Sequence, residues 1–149
     1  MDRDELEYLE KVVSHIDISH LSYSSHSLQK SNTDCPTNLV ESLLASNNLL
    51  SSIIELNVNK NTTGNVYDVR ILVRDKRKFK VRMLDYNTGR EQIELANLCI
   101  VYSLTRNQVI TAYWNKASDQ HRTIKWDNYN KKLNILDYKE FMEVCKDGK

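Results

Sequence analysis

VYDVRILVRDKRKFKVRMLDY, Val66 to Tyr86, decides how the rest of the chain is read. Apolar and polar residues alternate along it with period two, as in a strand that turns one face to a core. Val69, Ile71 and Val73 fall on one face of the first half, with Asp68, Arg70, Leu72 and Arg74 on the other. In the second half Phe79, Val81 and Met83 oppose Lys78, Lys80 and Arg82. Two strands are expected, and pairing through a turn at Asp75–Arg77 would make them a hairpin. Arg70, Arg74, Lys78, Lys80 and Arg82 would then share one two-stranded surface.

Outward from this stretch the same period continues. Ile53 to Asn59 reads as a strand and NKNTTGN as its turn. DYNTGRE is a second turn, with Gly89 at its left-handed position. A long strand through ELANLCIVYSL follows, then a TRNQ turn and a fifth strand, Val109 to Asn115.

Before residue 50 the period is helical. Leu6, Leu9, Val13 and Ile16 recur at three- and four-residue steps, and acids in the first turns suit the helix dipole. SYSSHSLQK reads as a short polar helix. Asp34-Cys35-Pro36 starts a further one over NLVESLLAS, ended by Asn47-Asn48. LDYKEFMEVCK predicts a short C-terminal helix. The layout is a single α+β domain over residues 1–149: helices to about 48, a sheet over about 52–116, then a C-terminal extension. N-terminal helices are expected on one face of an antiparallel sheet of about five strands, with the basic residues on the open face.

Composition agrees with that class. The chain has 149 residues, 40% hydrophobic and 28% charged, enough for a core and too rich in apolar residues for disorder. No run of about 18 apolar residues is present, and MDRDELEYLE lacks the apolar region of a signal peptide. Three separated cysteines fit a reducing compartment, so a cytoplasmic protein with no membrane contact is expected. The formal net charge of +1 hides two poles. Five acids (Asp2, Asp4, Glu5, Glu7, Glu10) face one Arg3 in the first ten residues. Seven cations face Asp75 alone between Arg70 and Arg82. A cationic surface of that density makes most sense when phosphates cross it, which makes nucleic acid the expected partner; the bland reading is a solvated face whose lysines block edge pairing.

Thr111, Tyr113 and Asn115 share one face of the fifth strand. A tyrosine there can stack on a base or hydrogen-bond a phosphate, although Thr and Tyr also suit strands without any function. Ala112 and Trp114, opposite, are core residues. His26, with Lys30 a helical turn later, and His121, beside Arg122, have the side chain best suited to move protons near neutrality. His15 and His20 read as structural. No phosphate-binding glycine loop, HExxH, acid cluster, nucleophile elbow or CxxC is present, so neither metal nor cofactor is expected.

Tyr23 to Asn115, through SYSSHSLQK, VRILVRD and VITAYWNK, resembles the BECR superfamily (barnase, EndoU, colicin, RelE), and within it small RelE-like toxin domains of bacteria and phages. The resemblance implies a metal-independent ribonuclease that cuts RNA by 2′-hydroxyl attack and is restrained by an inhibitor or antitoxin protein. His26 then matches the helix histidine, Lys30 the next basic position, Arg70 and Arg74 the mid-sheet arginines, and Thr111 with Tyr113 the final-strand pair. The arginine run expected after the histidine is replaced by QKSNTDCP. Two alternatives stand beside it: a diverged member that binds nucleic acid or a protein without cutting, and an adaptor whose acidic helix docks a basic partner.

Overall fold

Alternation in the second half of the chain resolves into five strands, preceded by a sixth of only two residues. The computed structural model describes residues 7, 10, 11, 13–24, 37–85 and 87–119. In chain order these form a 3-10 turn η1 (Ile18–His20), β1 (Ser22–Tyr23), α1 (Thr37–Leu44), α2 (Leu49–Ser52), β2 (Ile53–Lys60), β3 (Val66–Arg74), β4 (Phe79–Asp85), β5 (Arg90–Ser103) and β6 (Gln108–Lys116). Residues 7, 10, 11 and 13 are helical, within the helix expected from the spacing of Leu6, Leu9, Val13 and Ile16; Ile16, expected to continue it, lies past a turn at Ser14–His15. The expected C-terminal helix lies outside the described residues.

The sheet is α+β in setting but mixed, not purely antiparallel. Its order is β1-β6-β5-β3-β2, with β4 also on β5. β1 runs parallel to β6, held by Ser22 N–H donating to Asn107 O at 3.1 Å and Ser24 N–H to Val109 O at 2.9 Å. Ser22 and Tyr23, expected to open the helix SYSSHSLQK, are therefore strand; a two-residue pairing leaves no period to read.

The expected β3–β4 hairpin does not form. Both strands instead pair with the same edge of β5: Arg70–Arg74 with Ser103–Cys99, and Phe79–Asp85 with Ala96–Arg90. They are two segments of one line, broken where residues 75–78 oppose Asn97 and Leu98. That is a large bulge, which bends the strand and increases its twist. Beyond it β4 and the first half of β5 continue as a two-stranded ribbon. Its tip turns at Gly89, whose φ of 69° is in the left-handed region, where glycine carries no Cβ penalty.

One face of the sheet carries the core. Val69, Ile71 and Val73 of β3 meet Leu98, Ile100 and Tyr102 of β5, Val109 and Ala112 of β6, and Val40, Leu43 and Leu44 of α1. Trp114 packs against this cluster from β6, as do Val13 and Ile16. Each large side chain buried here contributes about 1.5–3 kcal/mol relative to exposure. Asn107, at φ 51°, anchors the N-terminal segment. Its Nδ2 donates to Asp17 O at 2.8 Å and to His20 O at 3.2 Å, and its Oδ1 accepts from the buried Tyr102 hydroxyl. Among the described residues no helix is long and apolar enough to cross a membrane.

Candidate nucleic-acid interface

Which cations share a face follows from the register. On β5 the even-numbered residues from Ala96 to Tyr102 are buried, and Leu98, Ile100 and Tyr102 belong to the core cluster, so odd-numbered ones point away. Arg70 lies opposite Ser103 and Arg74 opposite Cys99, while Lys80 lies opposite Leu95 and Arg82 opposite Ile93. All four therefore project from the face away from the core. They stand in a row along one strand line, not across from each other. Same-strand neighbours are about 6.6 Å apart, against about 5 Å for cross-strand pairs, so the row carries less repulsion than a hairpin would.

The row divides at the bulge. Asp75 is buried and holds Arg77 from two sides: its carboxylate accepts from Arg77 N–H at 2.9 Å, from Nε at 3.1 Å and from Nη2 at 2.9 Å. Arg77 in turn sits 5.3 Å from the centroid of Phe79, whose ring meets Trp114 edge-on at 5.5 Å. Asn97, buried opposite, donates Nδ2 to Asp75 O at 2.9 Å and to Arg77 O at 3.0 Å. These contacts fix the root of the ribbon. Past them Lys76, Lys78, Lys80 and Arg82 are exposed, and among the described residues none of the four has an ion-pair partner.

Before the bulge the arginines are committed to structure. Arg70 Nε donates at 2.6 Å to Oδ2 of Asp68, a carboxylate with no exposed surface. Oδ1 of Asp68 accepts from Ser103 Oγ and Thr105 Oγ1, both at 2.7 Å. Burial works to raise the Asp68 pKa, but the hydrogen bonds from Ser103, Thr105 and Arg70 outweigh it and hold the carboxyl below its ordinary value. Arg74 crosses the face to β6, where Nη2 donates to Lys116 O at 3.1 Å and Asp119 O at 2.7 Å.

Thr111, Tyr113 and Asn115 stand opposite Val101, Cys99 and Asn97. They share the face with Arg70 and Arg74, separated from β3 by β5, roughly 9.6 Å for two strand spacings. Leu72, Cys99 and Ser103 between them are buried, so this half of the face is not open as expected; the ribbon half is. Three buried polar atoms here have no hydrogen-bond partner among the described residues: Arg74 Nε, Thr111 Oγ1 and Asn115 Oδ1. His26, Lys30 and His121 lie outside the described residues. His20 Nδ1 is 2.7 Å from Asp17 Oδ2 at the surface.

A cleft of about 330 Å³ separates α1 and α2 from the bulge, with Ser42, Ser46, Asn48 and Ser52 on one wall and Lys76 and Arg77 on the other. Among the described residues no group of three or more His, Cys, Asp and Glu side chains could hold a metal ion. The roles of Asp68 and Asn97 escape a reading by period. Each is a polar residue on an alternating strand, and only the pairing partner reveals what it binds. A scan against protein-family models finds no match, and searches of curated proteins and of solved structures find none either.

Proposed function

We propose that the chain binds RNA through the bulge and the β4–β5 ribbon. One observation carries this reading: Lys76, Lys78, Lys80 and Arg82 are four exposed cations within seven residues, without an ion-pair partner among the described residues. Phosphate contacts supply most nucleic-acid affinity and need cations that are not already spent on carboxylates. Arg70 and Arg74 lie at the foot of the same face and support the sheet beneath it. Four neutralised phosphates on a single strand would give a log–log salt slope of roughly −2.8.

The test is fluorescence anisotropy of a labelled single-stranded RNA titrated with the full chain over a range of salt. Lys80→Glu with Arg82→Glu should lower affinity at least about tenfold and flatten the salt slope. Unchanged affinity in that variant removes the reading.

A second reading, cleavage by 2′-hydroxyl attack as in RelE-like ribonucleases, is favoured by Arg74 Nε and Thr111 Oγ1, which have no partner among the described residues, on the face of Tyr113. Thr111 and Arg74 would hold the phosphate and Tyr113 the base, with His26 and His121 as the acid–base pair. RNA incubated with the protein in EDTA should yield 2′,3′-cyclic phosphate ends, lost in His26→Ala or His121→Ala. Intact RNA that is nevertheless bound leaves the binding function alone.

A further inference from the structure

The cleft between the helices and the bulge shares Lys76 with the ribbon, but its lining has a chemistry of its own. One wall forms where α1 ends. Ser46 Oγ accepts from Asn48 N–H at 3.1 Å, which leaves the Ser46 hydroxyl hydrogen to donate elsewhere. Ser42 stands a turn earlier on α1 and lines the same space. The other wall is the bulge. Asn97 donates to the carbonyls of Asp75 and Arg77, the residues on either side of Lys76. The backbone that carries the Lys76 ammonium is thus held in place before anything binds.

The polar groups left over in this lining are mostly donors. Asp75 lines the cleft, but its carboxylate accepts from the backbone N–H, Nε and Nη2 of Arg77, so its charge is already paired. Those bonds use Nε and Nη2 of Arg77 and leave Nη1. Among the described residues Lys76 has no ion-pair partner, and neither Ser42 nor the Asn48 side chain has a hydrogen-bond partner. Lysine and arginine bring donors and no acceptor. Such a lining suits an anion with several oxygens on one atom, and a terminal phosphate offers three, with close to two negative charges. Among the described residues no aromatic ring lines the cleft, so nothing there stacks on a base. Its volume of about 330 Å³ is at the low end for ligand sites, enough for a phosphate and a short polar body.

We infer that this cleft is a phosphomonoester site. Lys76 and Arg77 Nη1 pair the phosphate from the bulge, and the Ser42 and Ser46 hydroxyls donate to its oxygens from the helical wall. An internal phosphodiester is a poorer match, with one negative charge and two free oxygens. Two sources present the right group: a free nucleotide, and the 5′ end of an RNA lying on the ribbon. Only the second rests on the RNA reading.

Amide chemical-shift titration of the isotope-labelled full chain with cytidine 5′-monophosphate, against cytidine as control, tests the site without RNA. The nucleotide should shift residues 42–48 and 75–77 saturably, inorganic phosphate should compete, and cytidine should do neither. Lys76→Gln should weaken binding about tenfold. Ser42→Leu, which puts a side chain into the cleft from an exposed helical position, should weaken it at least as much. Both variants should melt like the parent. Lys80→Glu with Arg82→Glu should leave nucleotide binding within about twofold, which keeps this test apart from that of the ribbon. An RNA with a 5′-phosphate that binds at least about fivefold tighter than its 5′-hydroxyl form, a preference lost in Ser42→Leu, assigns the RNA end as the source. Equal binding of the two RNAs assigns the free nucleotide. The proposal is overturned by a lack of saturable shifts at about 10 mM nucleotide, by cytidine binding as well as its phosphate, or by Lys76→Gln binding like the parent.

Discussion

The side-chain amide of Asn97 on β5 donates to the carbonyl of Asp75 at 2.9 Å, and a second bond to Arg77 O completes a staple across the bulge. This contact explains why β3 and β4 run on as one line. A turn at Asp75 would have to leave β5. Asn97 instead supplies donors to carbonyls that the interrupted ladder leaves without strand partners, and Asp75 N–H keeps its bond to Leu98 O at 2.8 Å. The ribbon's direction is set at that point.

Replacing Asn97 by Ala removes both donors from a buried site and leaves two carbonyls to find other partners. A loss of about 1–3 kcal/mol is expected in urea unfolding. Hydrogen exchange should speed up in residues 79–85 and 90–96 more than in β2 or β3, because the staple holds the ribbon's root.

Asp68 gives the fold a defined acid sensitivity. Its folded pKa is below its unfolded value of about 3.9. Its contribution is therefore fully present above the unfolded pKa and is lost as pH falls through the folded one. Asp68→Asn should cost about 3 kcal/mol at neutral pH by leaving Arg70 without its buried carboxylate. It should also flatten the stability curve below about pH 4. An unchanged acid limb would mean that other carboxylates control it.

The two halves of the cationic row should separate in mutagenesis. Lys80→Gln with Arg82→Gln should change stability by less than about 0.5 kcal/mol, as exposed sites do, while weakening RNA binding. Arg74→Gln should do the reverse, because it cuts the link from β3 to Lys116 and Asp119. Paired thermal melts and anisotropy titrations of both variants check this.

Tyr23 offers a spectroscopic handle on β1. Burial and then the neighbouring Glu41, whose Oε1 accepts from the hydroxyl at 3.2 Å, push its pKa up to about 12. Tyr23 should ionise late in an alkaline titration at 295 nm, and Tyr23→Phe should remove its component from the late phase. The raised pKa stabilises the fold below about pH 10 and is lost as pH rises through 12.

Strand limits were legible because burial imposes a period. The stretch from Ile53 to Asn59 became Ile53–Lys60, and Val109 to Asn115 became Gln108–Lys116. NLVESLLAS was read as a helix and α1 covers most of it. Pairing was not legible in the same way. Period two says which face Lys80 occupies but not which strand lies beside it, and DKRK reads equally well as a turn or a bulge until Asn97 is placed opposite. For the candidate site, the shared face of Arg70, Arg74, Lys80 and Arg82 was readable. That Arg70 and Arg74 are tied to Asp68 and to the end of β6 was not, since those partners are set by two-residue and forty-residue separations alike.

Amide chemical-shift mapping of the isotope-labelled chain with a short single-stranded RNA tests the central claim most directly. The account predicts shifts concentrated in residues 76–82 and across the ribbon at 91–95, fading as salt is raised. Shifts confined to β2 or to the α1–α2 surface, with residues 76–82 unmoved, would contradict it.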